Sequence, residues 1–167
     1  MFAATRTVFE QNKYKILKAS SRDAPIVSAL ANGDWSERVA ISRRKRVANP
    51  TQIADDLRSG GGLVLYRNSL PVAALSYVRS RDGNWELRRL GVTRSYSGRG
   101  FTSLLLNTLE KLARVNAVRA IRIPVDTYSP KYRAYFEKLG FSVDADRGFS
   151  TVFAAALQPI RMYKVVA

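Results

Sequence analysis

The chain has 167 residues, with 28 Lys+Arg against 13 Asp+Glu and a formal net charge of +15. That length suits one ordinary domain with its own core, and at 46% hydrophobic and 25% charged the composition excludes a chain disordered throughout. Cysteine and histidine are both absent, which excludes a disulfide framework, a thiolate nucleophile, a Cys/His zinc site and a Ser-His-Asp triad, so catalysis falls to carboxylates, tyrosines, hydroxyls, lysines, backbone amides or a cofactor.

No apolar run approaches the ~20 residues of a membrane span, and the first residues lack the pattern of a secretory signal. The expectation is a cytoplasmic protein with no membrane partner. The excess of positive charge points to a polyanion, either nucleic acid or a phosphate-bearing ligand, against the plainer reading of solubility alone.

In chain order, residues 1–13 show neither alternation nor helical period and are expected to be an N-terminal arm, with the domain proper over 14–167. Tyr14 to Ala19 reads as a strand. Ser21 or Asp23 caps a helix that turns Ile26, Val27 and Leu30 to the core, ended by Asn32-Gly33-Asp34. The run Arg43-Arg44-Lys45-Arg46 precedes Asn49-Pro50, and Thr51 is expected to cap a helix through Ile53, Ala54 and Leu57 that Gly60-Gly61-Gly62 ends. Leu63 to Tyr66 and Val72 to Val78 read as strands, and Arg81-Asp82-Gly83-Asn84 is a hairpin turn into a strand from Trp85 to Val92. A helix from Thr102 to Val115, a strand from Ala120 to Val125, a helix from Pro130 to Leu139 and a strand at Phe141 to Val143 follow. Thr151 to Ala156 and Arg161 to Val166 are expected to close the fold as a pair.

The most informative segment runs from Leu90 to Thr102. It sets a strand end, a loop with Gly98 and Gly100, and a helix start in succession. That arrangement turns free backbone N–H groups toward a pyrophosphate, with the helix dipole and Arg99 adding favourable charge.

Here the chain resembles the GNAT superfamily of acyl-CoA-dependent N-acyltransferases. The resemblance covers residues 84 to 143, through Glu86-Leu87-Arg88-Arg89-Leu90-Gly91-Val92, the loop Tyr96-Ser97-Gly98-Arg99-Gly100, and Ala134-Tyr135-Phe136-Glu137-Lys138-Leu139-Gly140-Phe141. It implies a single-domain α/β (α+β) fold: a mixed, mostly antiparallel, splayed sheet flanked by helices, with acetyl-CoA held between the diverging fourth and fifth strands. It also implies that backbone groups around Leu90, Gly91 and Val92 pair with the pantetheine, and that amides from Ser97, Gly98, Arg99, Gly100, Phe101, Thr102 and Ser103 receive the pyrophosphate. An acceptor amine would then attack the thioester directly, which needs neither metal nor protein nucleophile.

The sequence departs from the family pattern in places. In Gln/Arg-x-x-Gly-x-Gly/Ala it has Ser97 first and Thr102 last, which is expected to bring a branched side chain near the phosphates. The family's cofactor-side asparagine aligns with Ser129. The tyrosine that protonates the leaving thiolate aligns with Phe136, and Tyr135 points roughly 100° away on a helix. Three explanations stand open: the proton comes from water, Tyr128 or Tyr132; the chemistry tolerates the loss; or the fold has given up catalysis for binding. Glu86 is the candidate base, against a structural partnership with Arg88.

Arg43, Arg44, Lys45 and Arg46, with Arg38, fall where the resembled fold flanks its acceptor groove. They would bind phosphates while Trp35 stacks on a base, against the alternative of a solvated charged face. The expected activity is acetyl transfer to an amine on or beside nucleic acid or ribonucleoprotein. The alternative is a GNAT-fold binder of nucleic acid or a basic component of an assembly. Residues Thr151 to Val166 are expected to offer an edge for homodimer pairing.

Overall fold

The computed structural model describes residues 6–31, 50–125, 130–144 and 160–167. Among them, eight strands form one sheet in the order β1-β2-β3-β4-β5-β6-β8-β7. The strands are β1 (Thr7–Gln11), β2 (Tyr14–Ala19), β3 (Gly61–Arg67), β4 (Leu70–Arg79), β5 (Trp85–Val92), β6 (Ala120–Val125), β7 (Ser142–Val143) and β8 (Ile160–Val165). All neighbours are antiparallel except β5 and β6. The helices are α1 (Ala24–Ala31), α2 (Pro50–Ser59), α3 (Phe101–Val115) and α4 (Pro130–Lys138).

Alternation along β4 divides the core. Val72, Ala73, Leu75 and Tyr77 join the cluster under α3 and α4, which includes Leu87, Leu90, Leu105, Leu109, Ile121 and Phe136. Ala74 turns the other way and packs with Val64 under α1 and α2, against Val27, Leu30, Ile53 and Leu57. Ile53 and Leu57 lie one turn apart, so α2 needs only one apolar stripe to seat itself.

Several expectations are corrected here. Thr7–Gln11, inside the expected arm, form β1, ordered by antiparallel pairing with β2. Thr51 is not a cap but lies within α2, which begins at Pro50; proline suits the first helical position, where its missing N–H has no helix acceptor anyway. Ser21 and Asp23 do not cap α1 but form a short 3-10 turn (Ser21–Asp23) leading into it, which Ser20 caps, its N–H donating to the Asp23 carboxylate at 2.7 Å. Gly61 and Gly62 do not merely end a helix, because β3 starts on them. A Cβ built on Gly60 would stand 2.0 Å from the Tyr77 carbonyl oxygen, so this crossing requires glycine. β8 lies between β6 and β7, so residues 160–165 are not the last strand of the sheet, and β7 covers β8 at Tyr163 and Met162. The expected strand at 151–156 lies outside the described residues.

Two features position the site. Ser76 opposes Arg89 while Tyr77 opposes Leu87, leaving Arg88 as the extra residue of a β-bulge, a device that bends a strand and sharpens its twist. Below the bulge, β5 pairs with β6 at Trp85↔Ile121 and Glu86↔Arg122 and nowhere else. That end is clasped. The Asn84 side-chain oxygen accepts the Ala120 N–H at 3.0 Å, the Arg122 guanidinium donates to Asp82, and the Tyr77 and Trp85 rings stack at 4.2 Å. On the far arm, the Lys164 ammonium donates to Glu110 of α3 at 2.7 Å and to the Leu139 carbonyl after α4 at 2.8 Å.

Candidate active site

Among the described residues, β5 above the bulge has a strand neighbour on one side only. Leu90, Gly91 and Val92 pair with Leu75, Ala74 and Ala73 of β4, and their other edge faces the gap beside β6. Along such a ladder alternate residues turn N–H and C=O outward, so the edge offers peptide groups to a ligand in the gap. The side chains of Leu90 and Val92 are buried, so what this segment presents is backbone.

The loop that follows is built by short-range bonds. The Thr93 N–H and hydroxyl both donate to the Val72 carbonyl, at 2.8 and 3.0 Å, pinning the end of β5. The Ser97 hydroxyl donates to the Arg94 carbonyl at 3.1 Å, so it is spent within the loop. Gly98 and Gly100 take φ of 76° and 80°, a left-handed backbone that glycine adopts without penalty. The first helical bond of α3 runs from the Leu104 N–H to the Gly100 carbonyl at 3.0 Å. Among the described residues, the N–H groups from Gly98 to Ser103 therefore have no protein acceptor. A Cβ added at Gly98 or Gly100 would meet nothing within 4 Å, so the space before these amides is open.

Free amides at a helix start, in the field of the α3 dipole, fit a diphosphate. Arg99 is exposed beside them, its guanidinium 4.8 Å from the centre of the Tyr96 ring. Phe101 and Thr102 contribute amides only. Phe101 packs its ring on Tyr14 and Tyr96, and the Thr102 side chain is 6% exposed, so it turns inward instead of crowding the phosphates.

Other expected residues fare differently. Phe136 is fully buried, edge-on to Tyr135 and Phe141 with ring centres 5.5 and 5.8 Å away. It serves the core instead of lining an open cofactor surface, and it has no hydroxyl to give a proton. Tyr132 lies in the first turn of α4, one turn before Phe136. Glu86 alternates with the buried Trp85 and Leu87, which places it on the α1/α2 face of β5 at the last residue paired to β6. Its carboxylate meets Arg88 at 3.3 Å. Tyr128, Ser129, Trp35, Arg38, Arg43, Arg44, Lys45 and Arg46 lie outside the described residues.

Sequence reasoning missed Arg67. Its guanidinium donates to the Tyr96 hydroxyl at 3.1 Å across 29 residues of chain. Only the position of Arg67 beside the turn Asn68-Ser69 hinted at proximity, since a hairpin returns β4 to the end of β5 where the loop begins.

A fork of strands beside a glycine loop with unspent amides defines a site suited to an extended, phosphate-bearing ligand. The sequence matches the model of the Acetyltransferase (GNAT) family over residues 27–141, and the chain belongs to that family of N-acetyltransferases, whose acyl donor is acetyl-CoA. The fold is similar to an N-acetyltransferase from Staphylococcus aureus Mu50, with TM-score 0.74 and 15% identity over 93% of this chain and 99% of that one. It is also similar to the PaiA N-acetyltransferase of Thermoplasma acidophilum, solved with coenzyme A, with TM-score 0.72 and 17% identity over 92% and 99%. A third likeness is to the ribosomal-protein-S18-alanine N-acetyltransferase of Escherichia coli, with TM-score 0.71 and 17% identity over 92% and 94%. At these identities the likeness is one of fold. No curated protein sequence matches the chain at a significant level.

Proposed function

We propose that this N-acetyltransferase acts on an amine carried on, or held beside, a nucleic acid, in the cytoplasm. The observation that carries the reading is the disposition of charge. Glu10, Asp23, Asp55, Asp56, Asp82, Glu86, Glu110 and Glu137 all stand in ion pairs with Lys or Arg. Exposed Lys13, Lys18, Arg22, Arg79, Arg81, Lys111, Arg119 and Arg161 meet no carboxylate among the described residues. A surface on which these eight carboxylates, among the described residues, are already paired while exposed cations are not attracts polyanions and repels free polyamines. The run Arg43 to Arg46, with Arg38 and Trp35, is the proposed contact nearest the acceptor.

When bound, acetyl-CoA supplies an acetyl carbon activated as a thioester. Residues of this chain do the rest. The amides from Gly98 to Ser103, with Arg99, hold the diphosphate, and the free edge of Leu90 to Val92 aligns the pantetheine arm. Glu86 takes the proton that the acceptor amine gives up as its nitrogen bonds to the acetyl carbon. Tyr132 or Tyr128 supplies the hydroxyl that Phe136 lacks, returning a proton to the departing sulfur.

The test is thiol release from acetyl-CoA against a panel of amines: free polyamine, a basic protein alone, and the same protein bound to RNA, with RNA affinity followed against salt. Faster turnover of the RNA-bound acceptor and an affinity that falls steeply with salt are expected. Turnover of free polyamine in preference to the others, or no RNA binding at low salt, would sink the acceptor reading. RNA binding with no thiol released by any amine would favour a binding module instead.

A further inference from the structure

We propose that Arg67 is a positioning residue for the diphosphate site, acting through Tyr96. The short Ser97 hydroxyl is spent on the Arg94 carbonyl inside the loop. The loop therefore carries no long polar side chain of its own at that place. Arg67 comes in from the end of β3 instead, and its terminal nitrogen donates to the Tyr96 hydroxyl at 3.1 Å.

That bond fixes the plane of a ring that others use. The Arg99 guanidinium lies 4.8 Å from the centre of the Tyr96 ring, the Arg67 carbon 5.9 Å from the same centre, and Phe101 packs at 6.1 Å. Tyr96 is thus the platform on which Arg99 rests beside Gly98 and Gly100. Without the hydroxyl bond the ring is free to turn, and Arg99 loses its seat. The fold also carries a cost for this contact, since the Arg67 Nε is buried with no hydrogen-bond partner. A lysine could not reproduce the planar fork that donates at one edge while lying over a ring.

The proposal rests on the diphosphate site described above, and calorimetry tests it without any acceptor. Tyr96→Phe removes only the hydroxyl and keeps the ring without its anchor; Arg67→Lys keeps the charge. Each is titrated with coenzyme A and with 3′-dephospho-coenzyme A, and each is melted without ligand. Both variants are expected to bind both ligands about five- to tenfold more weakly. The double variant should lose far less than the sum of the two single losses, because both remove the bond between Arg67 and Tyr96. Ligand-free melting temperatures should stay within about 4 °C of wild type.

Unchanged affinity in either variant, or losses that add in the double variant, would overturn the role given to Arg67. A loss confined to coenzyme A would assign Arg67 to the 3′-phosphate and overturn it as well. A ligand-free melting temperature that falls with the affinity would reduce Arg67 to a general stabiliser. If wild-type protein fails to bind coenzyme A, the site itself is refuted along with Arg67.

Discussion

The two ends of β5 meet the same neighbour, β6, in opposite ways. At the lower end, Trp85 and Glu86 pair with Ile121 and Arg122, and side chains reinforce the junction: Asn84 takes the Ala120 N–H, and Arg122 takes Asp82. At the upper end, beyond the bulge at Arg88, β6 has moved away, and in the loop that follows the N–H groups from Gly98 to Ser103 have no acceptor among the described residues. One end spends its polar groups on the fold, and the other keeps them for a ligand. A stable fork needs both, because unspent groups survive only where water or ligand can reach them and where the rest of the sheet holds them apart.

The comparison can be broken most severely through the far arm. Lys164 ties β8 to α3 through Glu110, whose side chain is 9% exposed. Lys164→Met leaves that carboxylate with only Arg114 at 3.6 Å and should cost about 3 kcal/mol in urea unfolding. A loss below about 0.5 kcal/mol would show that the arm is held by apolar packing alone.

Next in size is a change at the open end. Gly100→Val forces a branched residue into φ of 80° and fills the space before the amides. It should cost about 1–2 kcal/mol of stability and at least about tenfold in coenzyme A affinity by calorimetry. At the closed end the pattern should reverse. Asn84→Ala strips the Ala120 N–H of its acceptor and should cost about 1 kcal/mol, with coenzyme A affinity unchanged. If affinity falls with it, the two ends are not independent.

The smallest effect is in pH. The Arg122 hydrogen bond, aided by Ser80 and the Asn84 backbone, holds the Asp82 carboxyl well below its usual range. A depressed folded value stabilises above the unfolded pKa of about 3.9 and is lost as pH falls through the folded one. The melting-temperature gap between wild type and Asp82→Asn should therefore be full at about pH 6 and shrink as the medium becomes more acid than about pH 4. A gap that stays constant on acidification would remove the ion pair from the clasp.

Most of the element order was legible because apolar periodicity carries it. Val72 to Val78, Trp85 to Val92 and the leucines of α3 announce which face is inside. β1 was not legible, since Thr7–Gln11 alternate poorly and owe their form to pairing with β2. The glycine loop was legible as an anion site because strand, glycines and helix start are contiguous in sequence. Arg67 was not, because its partner is set by tertiary folding across 29 residues. Thr102 misled for a related reason: a residue type gives bulk, but only the rotation of α3 decides that its side chain turns inward.

The stack of Trp85 on Tyr77 has an optical consequence. Trp85 is 2% exposed, and the only other tryptophan in the chain is Trp35. A Trp35→Phe protein would emit from a single indole seated at the base of the fork, beside the last paired residues of β5. Its fluorescence becomes a built-in gauge of the closed end, readable while ligand is added at the open one, and in a rigid fork its emission wavelength stays fixed through the whole titration.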